Sequence, residues 1–135
     1  MKINLTLPEE IDGKSFIKHY IIPKLIDYIK LNLNEDKQKY LNQYLKNKLN
    51  LNLSSLQLLE YAIKNFIVTK SGNDYIIMLN KNISLPKSRN QNLSSIIKLI
   101  EYGSLEIKGT NILYKAFSYI KDNLDSLIEI YEKYY

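Results

Sequence analysis

The segment that most constrains the fold of this chain is "FIVTKSGNDYIIML", residues 66–79. Two runs rich in β-branched and aromatic residues flank a Ser-Gly-Asn-Asp stretch at residues 71–74, which tolerates the backbone geometry of a tight turn. This pattern predicts a β-hairpin. Because two strands alone are only marginally stable in water, we expect a third strand from "KINLTL" near the N-terminus, where apolar and polar residues alternate.

Helical periodicity occupies the segments on both sides of the hairpin. From Ser15 apolar residues recur every three or four positions, and Pro23 within this run predicts a kink or two helical pieces meeting near Ile22. Similar spacing predicts helices from about residue 35 to 48 and from about residue 54 to 65. The order of elements indicates an α+β fold: a small antiparallel sheet with N-terminal helices and a C-terminal helix.

Length and composition exclude several classes of function. The 135 residues fit one domain, residues 1–135. The chain has no cysteine and a single histidine, His19, which excludes thiolate chemistry, disulfides and Cys/His zinc sites. No glycine spacing matches a phosphate-binding loop, and no serine or carboxylate pair lies in a catalytic context. We therefore expect no catalytic residues, no cofactor and no metal site, and hence no enzyme.

The basic charge of the chain does not by itself indicate a nucleic-acid surface. A net charge of +5 can favour phosphate or acidic partners. However, Arg89 is the only arginine, and a set of basic residues made almost entirely of lysine is typical of solvated charge. The abundance of Lys, Asn, Ile and Tyr is also typical of an AT-rich genome. We expect no specific nucleic-acid partner.

With no signal peptide and no apolar run near the ~20 residues of a membrane span, we expect no membrane partner and a cytoplasmic protein.

A further motif lies in "IEYGS", residues 100–104, followed by "GTNILYKAFSYIKDNL", residues 109–124. These segments resemble the signature of small tailed-phage neck proteins, described as tail-completion or head-tail joining proteins. In that family Glu-(Tyr/Phe)-Gly-(Thr/Ser) precedes a Pro-Phe-Leu-x-Pro-Ala box that opens the C-terminal helix. The matching positions here are Glu101, Tyr102, Gly103 and Ser104 in the first part and Ile112, Leu113 and Ala116 in the second. Asn111 and Lys115 replace the two prolines, and Tyr114 replaces the usual arginine.

The resemblance implies a non-enzymatic virion structural protein. Its members act in the neck or tail, so the implied partners are a homo-oligomeric ring of this chain and other phage neck and tail proteins. The implied location is the virion, after synthesis in the host cytoplasm. Two alternatives remain open: a small phage or bacterial module that binds nucleic acid, and one that binds a host factor.

Each residue of the first part of the motif has an expected physical role. Glu101 is expected to accept hydrogen bonds from backbone amides or from a lysine of a neighbouring copy. Gly103 is expected to hold a positive backbone dihedral where the chain reverses after an apolar segment. Tyr102 is expected to anchor the turn in the core.

Two segments are expected to contact partners. The tail "LIEIYEKYY", residues 127–135, carries more apolar and aromatic surface than a terminal helix needs against its own domain. Tyr131, Tyr134 and Tyr135 are the aromatic residues expected at this interface. The polar segment "NKNISLPKSRNQN", residues 80–92, is expected to protrude as a mobile loop and to become ordered only against a partner.

Overall fold

The predicted α+β fold is confirmed by a computed structural model, which describes residues 1–85 and 91–135. Helices N-terminal and C-terminal to the hairpin surround a three-stranded antiparallel sheet. In chain order the elements are β1 (Lys2–Thr6), α1 (Gly13–Phe16), a π-helical segment (Ile17–Ile21), α2 (Ile22–Asn32), α3 (Glu35–Leu49), α4 (Ser55–Lys64), β2 (Ile67–Ser71), β3 (Asp74–Met78), α5 (Leu93–Tyr102), α6 (Ile112–Asp122) and α7 (Leu124–Tyr134).

The hairpin and the third strand lie where the sequence pattern predicts them. The sheet order is β1-β3-β2, and the central Ile77 is aligned with Ile3 on one side and Val68 on the other. Side chains on one face, including Leu5 and Tyr75, are buried, whereas β2 is mostly exposed. This alternation places the sheet against the helices through one face only.

The first helix changes its winding just before Pro23. Segments α1, π and α2 follow one another without a break, and the π turn ends at Ile21. A proline has no backbone N–H, and its ring presses on the carbonyl four residues earlier, here that of His19. A widened turn relieves this conflict without ending the helix. The predicted irregularity near Ile22 is therefore present as a π-helical turn.

One continuous group of buried apolar side chains holds the layers together. Within it α2 packs against α4 and α6, and α4 packs against α3 and α5. Every described helix and the strands β1 and β3 contribute to it, for example through Ile3, Phe16, Leu25, Leu41, Leu58, Ile77, Ile97, Leu113 and Leu127. No helix in the described residues is long and apolar enough to cross a membrane.

The segment predicted to be a mobile loop is held to the domain at both ends. Leu85 is buried, and its backbone N–H donates to the Gln91 carbonyl over 3.3 Å. The Gln91 side chain in turn donates to the Leu49 carbonyl at 2.7 Å, and Asn92 caps α5. The middle of the predicted loop, residues 86–90, lies outside the described residues, so its mobility stays a prediction.

Candidate functional site

The carboxylate of Glu101 joins the end of α5 to the start of α6. Glu101 is only 2% exposed. Its Oε1 accepts from the Leu113 N–H at 2.8 Å, and its Oε2 accepts from the Tyr114 N–H at 2.9 Å. Both amides belong to the first turn of α6, where backbone N–H groups have no partner inside the helix. Because Asn111 at the N-cap position makes no side-chain bond, Glu101 takes over the capping role from outside the helix.

The surroundings of Glu101 suit a negative charge. Both oxygens act as acceptors, and the amino end of a helix carries a partial positive charge that favours a carboxylate. Within residues 1–85 and 91–135 no cation forms an ion pair with it. Of the two sources of hydrogen bonds expected from the sequence, backbone amides are therefore the ones present in the single chain. Since both oxygens are buried and accept hydrogen bonds from α6, Glu101 ties the end of α5 to the start of α6.

Gly103 ends α5 with the positive dihedral expected from the sequence. Its φ is +79° and its ψ is −168°, a region essentially restricted to glycine. Its N–H donates to the Leu99 carbonyl at 2.8 Å. A Cβ at this position would overlap the Gly109 nitrogen and lie 2.6 Å from the Ile107 oxygen. The chain can therefore reverse here only because residue 103 has no side chain.

Ser104 holds the small loop that follows. Its N–H donates to the Ile107 carbonyl at 2.8 Å, and its hydroxyl oxygen accepts from the Glu106 N–H at 3.1 Å. The same loop reaches α3, since the Tyr40 hydroxyl donates to the Glu106 carbonyl at 3.2 Å and the Lys48 ammonium lies 3.9 Å from the Glu106 carboxylate. Helix α3 thus supports the loop from the side.

The chain then returns along the end of α5 before α6 begins. The Thr110 N–H donates to the Ile100 carbonyl at 2.9 Å, and the Asn111 N–H donates to the Glu101 carbonyl at 3.0 Å. These bonds satisfy carbonyls at the C-terminus of α5 that have no partner within the helix. We refer to residues 101–114 as the α5–α6 junction. Sequence reasoning missed the structural roles of Thr110 and Asn111; the signal available for Asn111 was the tolerance of asparagine for positive φ, here 55°.

The structure corrects the role expected for Tyr102, which does not anchor the turn in the core. Its side chain is 63% exposed. Adjacent residues on a helix point about 100° apart. Since Glu101 faces inward towards α6, its neighbour Tyr102 faces solvent.

The other motif residues divide between the core and the surface. The apolar and small positions Ile112, Leu113 and Ala116 are buried and belong to the core. Tyr114 is 64% exposed, and Leu105 and Tyr40 are exposed as well. We call the four exposed residues Tyr40, Tyr102, Leu105 and Tyr114 the junction surface. The backbone of the junction is tied by hydrogen bonds, and the Tyr40 hydroxyl bonds to the Glu106 carbonyl, so the domain sets the positions from which these side chains project.

The C-terminal tail packs partly on its own domain. Tyr131 meets the ring of Phe16 edge-on at 4.8 Å between centroids and stacks on Tyr135 at 5.3 Å. The ring centroid of Tyr20 lies 5.6 Å from those of Tyr131 and Tyr135. Even so, Tyr135 stays 80% exposed and Tyr134 69% exposed. The apolar surface of the tail left for a partner is therefore greatest at its end, at residues 134 and 135, with Ile130 also exposed.

Within residues 1–85 and 91–135 no group of three or more His, Cys, Asp or Glu side chains could hold a metal ion. Comparison with protein-family models, with curated proteins and with solved structures gives no match to this chain. A functional proposal therefore depends on the geometry of the junction and on the resemblance carried by residues 101–116.

We expect Glu101→Gln to lower the free energy of unfolding by about 1 to 3 kcal/mol. Glutamine keeps one carbonyl oxygen but turns an NH₂ group towards the second amide of α6, which leaves a buried N–H without an acceptor. Urea unfolding followed by circular dichroism measures the change.

The matched control for this prediction is Glu106→Gln, an exposed carboxylate in the same junction. Its change should stay within about 0.5 kcal/mol, because surface ion pairs contribute little. Equal unfolding midpoints for Glu101→Gln and the unmodified protein would show that the capping bonds are not needed.

A second prediction compares Gly103→Ala with Gly72→Ala. Both glycines have positive φ, but a Cβ at Gly72 meets nothing within 4 Å, whereas at Gly103 it meets backbone atoms. We expect a loss of about 2 to 4 kcal/mol at Gly103, from strain and steric overlap together, and a smaller loss of about 1 kcal/mol at Gly72. Thermal and urea unfolding measure both; similar losses would contradict the close contact at Gly103.

Proposed function

We propose that this protein is a non-enzymatic structural subunit of a phage neck or tail, a tail-completion or head-tail connector protein that assembles with its own copies into a ring. The observation that carries the proposal is the junction surface. There the buried Glu101 fixes the two helix ends so that Tyr102 and Tyr114 stand exposed on rigid backbone. Two of the four residues of this surface, Tyr102 and Tyr114, lie in the segments that resemble neck proteins, with Leu105 between these segments.

Tyrosine at such positions favours a binding role. Its ring contributes a large apolar area, its hydroxyl tolerates water, and it is enriched at protein interfaces. A side chain with few rotatable bonds on a fixed helix end loses little freedom on association. The junction surface therefore suits contact with another protein.

The arrangement of the exposed surfaces agrees with a subunit that has more than one neighbour. A closed ring of identical subunits uses two different patches on each copy. A ring within a neck also contacts proteins above and below it. The protein presents exposed aromatic residues at the junction surface and, separately, at the end of α7, with Tyr134 and Tyr135. We assign the junction surface to the adjoining neck and tail proteins, and the end of α7 to contacts between copies.

The proposal predicts that the purified protein forms rings and joins virion material. Light scattering and negative-stain electron microscopy of the protein alone test ring formation. Sedimentation with neck or tail fractions of the phage that encodes it tests the partner contact. The double substitution Tyr102→Ser with Tyr114→Ser should weaken this sedimentation at least about tenfold, because truncating interface tyrosines costs upward of about 1 kcal/mol each.

The matched control is Leu31→Ser, an apolar residue on α2 outside the junction that is 85% exposed. It should leave sedimentation unchanged, and all three substitutions should leave the unfolding midpoint nearly unchanged because the side chains are exposed. A protein that stays monomeric and does not sediment with virion fractions would overturn the proposal. A salt-sensitive shift with DNA would instead favour the nucleic-acid-binding alternative.

A further inference from the structure

A groove with basic edges lies between the first helix and the segment that joins α4 to β2. Its volume is about 470 Å³. Among its lining residues Ile22, Phe66 and Val68 are partly buried and form an apolar floor. The lining residues Lys14, Lys18 and Lys64 are exposed and form its basic edges. We call this the basic groove. Sequence reasoning did not find it, because its residues come from separate segments of the chain.

The charges of the basic groove are only partly neutralised by the protein itself. Lys64 pairs with Glu60 at 3.1 Å. In the part of the chain that the structure describes, Lys14 and Lys18 form no ion pair. An apolar floor with cationic edges is suited to an acidic amphipathic segment, whose apolar side chains fill the floor while its carboxylates meet the lysines.

A second groove, of opposite charge, lies beside the end of α7. Its volume is about 690 Å³. It carries the carboxylates of Glu10, Asp12 and Glu132 next to the tail rings Tyr131 and Tyr135. We call this the acidic groove. Its three carboxylates lie beside the partly buried Tyr131 and the exposed Tyr135. They equal the three lysines of the basic groove in number and are opposite to them in charge.

Helix α7 has a net negative charge, which is complementary to the lysines of the basic groove. It contains Asp125, Glu129 and Glu132 against Lys133, three negative charges and one positive charge, or net −2. Each of the other described helices is neutral or positive by the same count. The C-terminal end of a helix adds a partial negative charge, which lysines favour. The end of α7 is thus the acidic aromatic segment of this chain.

The two grooves cannot meet within one molecule, because they lie on different sides of the first helix. Phe16 and Tyr20 of this helix face the tail, as their ring contacts with Tyr131 show. Lys14 and Lys18 are each two residues earlier, which is about half a turn in the α-helical and in the π-helical part of this helix. They therefore face the opposite side. A contact between unlike patches on different sides joins copies head to tail, which is the kind of contact that a ring needs.

We propose that the basic groove of one copy receives the end of α7 of a second copy. In this contact Tyr134 and Tyr135 lie on the apolar floor, and the carboxylates of the acidic groove face the three lysines. This inference rests on the proposed function, since it identifies the contact that builds the ring. The receiving groove is lined by the first helix, the end of α4 and β2, and shares no residue with the junction surface.

Cross-linking tests the contact directly, because the chain has no cysteine of its own. Proteins carrying Val68→Cys and Tyr135→Cys are mixed and treated with a short bismaleimide. A cross-linked dimer should form in the mixture, and the yield should fall at high salt because screening weakens the ion pairs. The matched control is Leu31→Cys mixed with Tyr135→Cys, which should give no specific dimer.

Charge reversal provides the second measurement. Lys18→Glu should lower the association constant at least about tenfold by placing a carboxylate opposite carboxylates. Adding Glu132→Lys in the same chain should restore association. Each contact then pairs a carboxylate at position 18 of one copy with an ammonium group at position 132 of the next. Both residues are exposed, so circular dichroism should show an unchanged fold.

The outcomes separate this inference from the proposed function. Self-association with no cross-link and no effect of Lys18→Glu would overturn the groove assignment and leave the ring proposal standing. Specific cross-linked chains that form no ring and do not join virion fractions would support the contact and overturn the neck function. A protein that is monomeric and gives no cross-link would overturn both.

Discussion

The fold of the C-terminal half depends on one carboxylate that caps a helix from outside it. Glu101 is distant from α6 along the chain but supplies the acceptors that the first turn of α6 lacks, at 2.8 and 2.9 Å. The main chain of the same residue accepts from Asn111. Side chain and backbone therefore bind the same short segment, which fixes α6 relative to α5 in both position and direction. Burying a carboxylate raises the free energy of the folded state unless its oxygens accept hydrogen bonds. Packings of α5 and α6 that break these two bonds are therefore strongly disfavoured.

The capping bonds also decide which aromatic residues reach solvent. Once Glu101 faces inward, helix geometry turns Tyr102 outward, and the first turn of α6 presents Tyr114 on its own outer side. The exposed rings are thus a consequence of an internal polar contact. Such coupling gives a surface whose shape is set by buried hydrogen bonds, and a surface of this kind is better prepared for a partner than one made of loose side chains.

Local patterns in the sequence were enough for the sheet and for most helices. The hairpin follows from β-branched runs around Gly72, and the irregular turn follows from Pro23, because both signals act within a few residues. The orientation of Tyr102 was not predictable in the same way, since it depends on a bond between residues 101 and 113. The basic groove was missed for a similar reason: Lys18 and Val68 are neighbours only after the sheet and helices have packed. Periodicity describes which residues are buried, but not which separate segments share a surface.

The order of strands in the sheet has a consequence for how the chain acquires its structure. Strands β2 and β3 are joined by a tight turn and can pair as soon as both exist. Strand β1 pairs with β3 only after the chain has folded back over all the helices between them. In this pairing Lys2 is aligned with Met78 and Thr6 with Asp74. Closing so long a loop is slow compared with forming a hairpin. During synthesis β1 leaves the ribosome before β2 and β3, and it has no edge to join until the helices between them and the hairpin have followed. These helices must therefore collapse around an incomplete sheet, and the last step of sheet formation is the addition of the strand made before the other two.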